Sequence, residues 1–124
     1  MTISVRPAAT HDVVAIERLI EPFVQQRILL GKDPVVLYES IQQFVVAEEA
    51  GAVVGCGALH VMWSDLGEIR TVAVSEDQRG RGTGNLILDA LEVNARRLGL
   101  SRLFCLTFET GFFGARGYKK MGEV

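Results

Sequence analysis

The chain has 124 residues, 48% of them apolar and 23% charged, enough for one small domain with its own core, expected over residues 1–124. A formal net charge of −2 with no long Lys/Arg run argues against a nucleic-acid surface, no apolar run approaches the roughly 18–20 residues of a membrane span, and Met1-Thr2-Ile3-Ser4 lacks a secretory-signal layout. Two isolated cysteines, Cys56 and Cys105, and two isolated histidines, His11 and His60, offer neither a disulfide framework nor metal-ligand spacing, so buried reduced thiols, no metal and a cytoplasmic setting are expected.

Ile3-Ser4-Val5-Arg6 reads as a short first strand. Asp12, with Thr10 as the alternative N-cap, opens a helical stretch with an apolar stripe of Val13, Ile16, Leu19, Ile20, Phe23 and Val24. Pro22 falls inside that stretch and predicts a break or kink into two helices, the second continuing from Gln25 to Leu30 until Gly31-Lys32 ends it. Asp33-Pro34 is an N-cap followed by proline at the first helical position, so a further helix is expected to about Gln43. Phe44 to Glu48 and Ala52 to Met62 are strand-like runs joined around Glu49-Ala50-Gly51, a hairpin. Trp63 to Leu66 then turns the chain into a β-branched strand from Glu68 to Val74.

After the turn residues Ser75 to Gln78 comes a basic, glycine-rich loop, Arg79-Gly80-Arg81-Gly82-Thr83-Gly84. From Asn85 to Leu98 the residues Leu86, Ile87, Ala90, Leu91 and Leu98 fall near a 3.6-residue period, and Gly99 follows as the C′ cap. Leu103 to Thr107 reads as a buried strand and Phe112 to Tyr118 as a short helix stopped by Gly117. Only Tyr118-Lys119-Lys120-Met121 remains for a further strand.

Strand, glycine-rich loop and helix together suit an anionic ligand: the glycines admit close backbone approach, their N–H groups point at the anion, and the helix N-terminus adds partial positive charge. No G-x-x-x-x-G-K-[ST] is present, and Ile87 stands where a Rossmann fingerprint needs its third glycine, so both common nucleotide loops are excluded. Arg79-Gly80-Arg81-Gly82-Thr83-Gly84, with Gln78 just upstream, instead resembles the acyl-CoA loop of the GNAT N-acetyltransferase superfamily, [Q/R]-x-x-G-x-[G/A]. The element order matches that fold over nearly the whole chain, with one additional short helix near the front. The fold class expected is therefore α/β (α+β): a mixed, mostly antiparallel sheet flanked by helices.

The resemblance implies acetyl-CoA as co-substrate. It places the pantetheine arm along Val72-Ala73-Val74, with Val72 and Val74 offering backbone groups, and the pyrophosphate on Arg79, Gly80, Arg81, Gly82, Thr83 and Gly84. A backbone N–H near Val72 would serve the developing oxyanion, and Glu68, at the start of that strand, would be the general base, directly or through water. Two departures from the family stand out. Phe113 occupies the place of the tyrosine that many members use to protonate the leaving thiolate, and the last two strands of the family are reduced to Tyr118 to Met121. The last strand lies outside this chain, or comes from a second subunit of a homodimer, or the sheet ends short.

Several separated stretches resemble the acetyltransferase domain of bacterial N-acetylglutamate synthases, and most closely the short, stand-alone amino-acid acetyltransferases. They are Ile28 to Lys32, Leu37-Tyr38-Glu39, Val54 to Leu59, Gly67 to Val74 and Leu106-Thr107. The resemblance implies a small amino-acid substrate, with Lys32 meeting its carboxylate and backbone groups around Cys56 lining the acceptor site. Related synthases carry an arginine shortly after the Leu-Thr pair for a second carboxylate; here Phe108-Glu109-Thr110 follows, and Glu109 would repel a carboxylate. Glutamate, glutamine or another small amino acid remain open. With glutamate the product would be N-acetylglutamate, which enters arginine biosynthesis. The alternatives are another amine acceptor, such as a polyamine or protein terminus, or a non-catalytic acyl-CoA-binding domain.

Overall fold

The structure is a computed structural model that describes residues 2–107 and 109–121. Its strands are β1 (Ile3–Pro7), β2 (Phe44–Glu49), β3 (Ala52–Val61), β4 (Leu66–Val74) and β5 (Arg102–Cys105). Its helices are α1 (Val13–Gln25), α2 (Pro34–Glu39), α3 (Thr83–Leu98) and α4 (Thr110–Ala115). The strands lie side by side in the order β1-β2-β3-β4-β5; the first three pairings are antiparallel and β4-β5 is parallel. That parallel step is the one that needs a crossover, and α3 makes it.

Alternation along the strands builds two apolar layers, one on each face of the sheet. Phe44, Val46, Cys56, Ala58 and Ala73 pack with Val13, Ile16 and Ile20 of α1 and Leu37 of α2. Val45, Ala47, Leu59 and Ile69 point the other way, onto Ile87, Leu88, Leu91 and Ala95 of α3 and Phe113 of α4. The mixed, mostly antiparallel GNAT-type sheet expected from the sequence is the one found.

Three local expectations are corrected. First, Pro22 does not divide the first helix, because α1 runs through it to Gln25 and the carbonyl of Pro22 itself accepts the Gln26 N–H at 3.1 Å. The stop comes next. Arg27 adopts φ 60°, and the Ile28 N–H reaches the Phe23 carbonyl at 2.8 Å while the Arg27 N–H reaches that of Val24 at 3.0 Å. This is a Schellman closure with arginine in the place glycine usually takes, so residues 26–30 leave the helix. Second, the helix opened by Asp33-Pro34 ends at Glu39, and Ile41–Gln43 forms a separate 3-10 turn. Third, the strand expected over Leu103 to Thr107 spans Arg102–Cys105 instead, and with Tyr118 to Met121 outside any strand β5 is one edge of the sheet among the described residues. Gly99 and Gly117, read as helix stops, both take left-handed conformations that close α3 and α4 in the same Schellman pattern.

Candidate active site

The sheet opens between β4 and β5. Their pairing covers Leu66 to Ile69 against Arg102 to Cys105 and stops there, so among the described residues β4 from Arg70 to Val74 has no ladder partner on that side. On the other side β4 carries an extra residue: Cys56 pairs with Ala73 and Ala58 with Arg70, so Gly57 alone faces Thr71 and Val72. Thr71 sits in this bulge at φ 54°, a region that a β-branched residue adopts only under constraint. The bulge turns backbone groups of Thr71 and Val72 out of the regular ladder, beside the gap.

A cavity of about 590 Å³ fills the gap. Its floor is Ile69 to Val74, one end is Gln78 to Asn85 without Arg81, and its flanks include Phe23, Ile28 and Leu29 on one side and Cys105 to Thr107, Glu109 and Phe112 on the other. A second space of about 770 Å³ lies beyond β5 against α3 and α4; no residue of the glycine-rich loop borders it.

At the first two glycines of the loop, conformation rather than space requires glycine. Gly80 and Gly82 have φ near +80°, and nothing lies within 4 Å of where their Cβ atoms would be. Gly82 caps α3, and the first bond of that helix is Leu86 N–H to the Gly82 carbonyl at 3.1 Å. The N–H groups of Thr83, Gly84 and Asn85 precede that bond and have no partner within the helix. The buried Gln78 side chain fastens the loop from behind, donating to Glu49 Oε1 at 3.0 Å and lying 3.4 Å from Thr83 Oγ1. Arg81 also turns to Glu49, at 2.8 Å, while Arg79 lines the cavity with its guanidinium 5.7 Å above the Phe23 ring. Of the two loop arginines, the structure therefore aims Arg79 at the cavity and ties Arg81 to the β2-β3 hairpin.

Glu68 is 8% exposed, on β4 just beyond the cavity floor, opposite His60 on β3 and Phe104 on β5. Its Oε1 accepts from Arg70 Nε at 2.6 Å, and Arg70 reaches into the cavity lining. Cys105 lines the cavity too, and its thiol is pushed up first by burial and then by the negative charge of Glu68. Cys56 lies elsewhere. Its side chain is fully buried under α1, its thiol donates to the Thr71 carbonyl at 3.3 Å, and burial pushes its pKa up to about 12. Lys32 is half-buried in the loop before α2 and does not line the cavity. Phe113 is buried edge-on between Phe112 and Tyr118. Tyr118 is held by its hydroxyl on Glu92 Oε2 at 3.0 Å, and its pKa is raised by burial first and by that bond second.

Sequence reading missed Phe23, Ile28, Leu29 and Arg70 as cavity residues. Only Arg70 left a local signal: two residues from Glu68 on one strand, it shares a face with it. Phe108, named beside Glu109 above, lies outside the described residues. Among the described residues, no cluster of His, Cys, Asp or Glu could hold a metal, and no helix is long and apolar enough to cross a membrane.

Residues 13–122 match the acetyltransferase (GNAT) family. The chain belongs to that family. A GNAT relative from Mycobacterium tuberculosis, an amino-acid acetyltransferase, is 53% identical over 120 residues, covering 94% of this chain and 68% of its own. The crystal structure of Rv2747 from M. tuberculosis in complex with CoA and NLQ superimposes with a TM-score of 0.92 at 52% identity, over 98% of this chain and 74% of that one. N-acetylglutamate synthase from Neisseria gonorrhoeae, complexed with coenzyme A and N-acetyl-glutamate, gives a TM-score of 0.91 at 34% identity over 99% of this chain. The present chain spans only 29% of that synthase.

Proposed function

We propose that this GNAT domain is an acetyl-CoA-dependent N-acetyltransferase acting on the α-amine of an amino acid, with glutamate and glutamine the leading acceptors. The observation that carries the reading is the opening of β4 from β5 with the glycine-rich loop at its end. A strand edge freed from Arg70 to Val74 can pair with the amide groups of an extended arm, as added strands do, while the N–H groups at the start of α3 meet phosphate. The names and ligands of the M. tuberculosis and N. gonorrhoeae proteins support an amino-acid acceptor. With glutamate, the product would enter arginine biosynthesis.

Bound acetyl-CoA supplies an already activated thioester. The chain's own tasks are then to hold it, to orient the amine and to take its proton. Val72, Ala73 and Val74 offer backbone along the floor; Arg79, Gly80, Gly82, Thr83 and Gly84 form the phosphate end, with Arg81 bracing the loop. The Val72 N–H, beside the bulge, is the proposed oxyanion donor. Glu68, which holds Arg70 at the edge of the cavity lining, takes the amine proton directly or through a water. Phe113 cannot donate a proton and Tyr118 is committed to Glu92, so the thiol leaves as thiolate; with a pKa near that of free cysteine, about 8.5, it needs little help. Lys32 and the backbone near Cys56 are proposed to border the acceptor, a role for which Lys32 would have to turn inward from the loop whose Ile28 and Leu29 already line the cavity.

The test is release of CoA thiol from acetyl-CoA across a panel of amino acids, polyamines and peptides. Release with glutamate or glutamine is expected. Release confined to polyamines or peptides would move the assignment to another amine, and tight acetyl-CoA binding without acceptor-dependent release would make the domain a binding module.

A further inference from the structure

We propose that Arg70 recognises the α-carboxylate of the acceptor, and that Glu68 and Arg70 together form one receptor for the paired charges of an α-amino acid. The inference rests on the amino-acid reading above and deepens it. Glu68 and Arg70 pair across the sheet with His60 and Ala58, and Ala58 belongs to the layer under α1, so both side chains leave β4 on the α1 face. Arg70 meets Glu68 through Nε alone, at 2.6 Å; among the described residues its two Nη nitrogens make no hydrogen bond within the chain. Its side chain is 37% exposed and borders the cavity. The bond to Glu68 thus fixes the guanidinium while leaving its outer, bidentate edge for an incoming carboxylate.

Charge placement along the cavity supports this choice. Two cationic side chains line it, Arg79 and Arg70. Arg79 stands over Phe23 at the glycine-rich end, where phosphate is expected, and Arg70 stands at the other end of the exposed β4 edge, beside the base. Glu109 also lines the cavity and would oppose a second, distal carboxylate. The carboxylate that fits is therefore the one sharing a carbon with the reacting amine. Ammonium and carboxylate branch from one carbon in the ligand, just as Nε and Nη branch from one carbon in Arg70, so the amine can face Glu68 while the carboxylate takes the Nη edge. Polyamines and simple amines cannot fill this arrangement.

The experiment compares kcat/KM, at saturating acetyl-CoA, for L-glutamine and L-glutamate with those for their decarboxylated counterparts, 4-aminobutanamide and 4-aminobutanoate. It is run on the unaltered chain, Arg70→Gln and Arg70→Lys. The unaltered chain should favour each amino acid over its decarboxylated partner by about 10- to 100-fold, the worth of a charge-assisted bond. Arg70→Gln should bring the ratio near unity, Arg70→Lys should restore part of it, and the KM for acetyl-CoA should not move. Each ratio is taken within one preparation, so a loss of folded protein cancels. A ratio in Arg70→Gln equal to that of the unaltered chain overturns the role of Arg70 while leaving the amino-acid reading intact. Turnover of amines or peptides without any amino acid overturns that reading itself, and this inference with it.

Discussion

Glu68 combines near-complete burial with a single strong partner, and that combination makes its proposed role testable without disturbing the fold. In Glu68→Gln the amide oxygen can still accept from Arg70 Nε, so the 2.6 Å contact has a neutral counterpart and the strand register is undisturbed. What disappears is the ability to take a proton. kcat should fall by about 10²-fold or more, the usual size of a general-base contribution, with acetyl-CoA binding unchanged. A near-normal kcat at neutral pH would remove Glu68 from the role. Thr71 makes a related point about strain. Its left-handed backbone is held by the register of β3 and β4 and lies beside the proposed oxyanion donor, a setting in which such strain recurs at functional sites.

At the scale of elements, the glycine-rich loop is positioned by how closely α3 approaches β3. A Cβ at Gly57 would come 2.7 Å from Ile87 Cγ2 and 3.0 Å from Leu91 Cδ1, so glycine there lets the helix settle onto the sheet. Gly57→Ala should destabilise the fold by about 1–3 kcal/mol through overpacking, read as a lower denaturant midpoint with an unchanged slope. It should also raise the KM for acetyl-CoA, because α3 carries the loop. An unaltered midpoint would mean that the helix relaxes at no cost. The features legible in the sequence were those written locally: the strand runs, the 3.6-residue stripe of α3, and the glycines at 80, 82, 99 and 117. The end of α1 was not, because Arg27 takes a conformation that glycine would have announced. The bulge was not, because it exists only in the register between Gly57 and Thr71-Val72. The cavity's flank of Phe23, Ile28 and Leu29 was likewise hidden, since only the completed fold carries those residues to β4.

For the whole molecule, stability and chemistry draw on different charges. Away from the cavity, Arg6 of β1 forks onto both oxygens of Asp12 at 2.8 and 2.9 Å and reaches Glu48 of β2 at 3.3 Å. Asp12 also accepts the Ala9 N–H at 2.7 Å, so one carboxylate joins the first strand to the start of α1. The bond to Arg6 is the largest cause holding Asp12 below the usual carboxylate range, and burial opposes it. A carboxylate lowered by folding stabilises the native state fully above its unfolded pKa, about 3.9, and loses that contribution as pH falls through the lower folded value. Arg6 remains 32% exposed and Asp12 only 3%, so the pair is partly screened and its loss is set at about 1–3 kcal/mol. Asp12→Asn should therefore lower stability by that amount at neutral pH. The gap from the unaltered chain should hold down to about pH 4 and close as pH drops further, because protonation removes from the original what the substitution has already removed. Denaturant midpoints measured for both proteins between pH 7 and pH 2 check this; a gap that stays constant to the lowest pH would assign the stabilisation to packing and capping rather than to the Arg6–Asp12 charge pair.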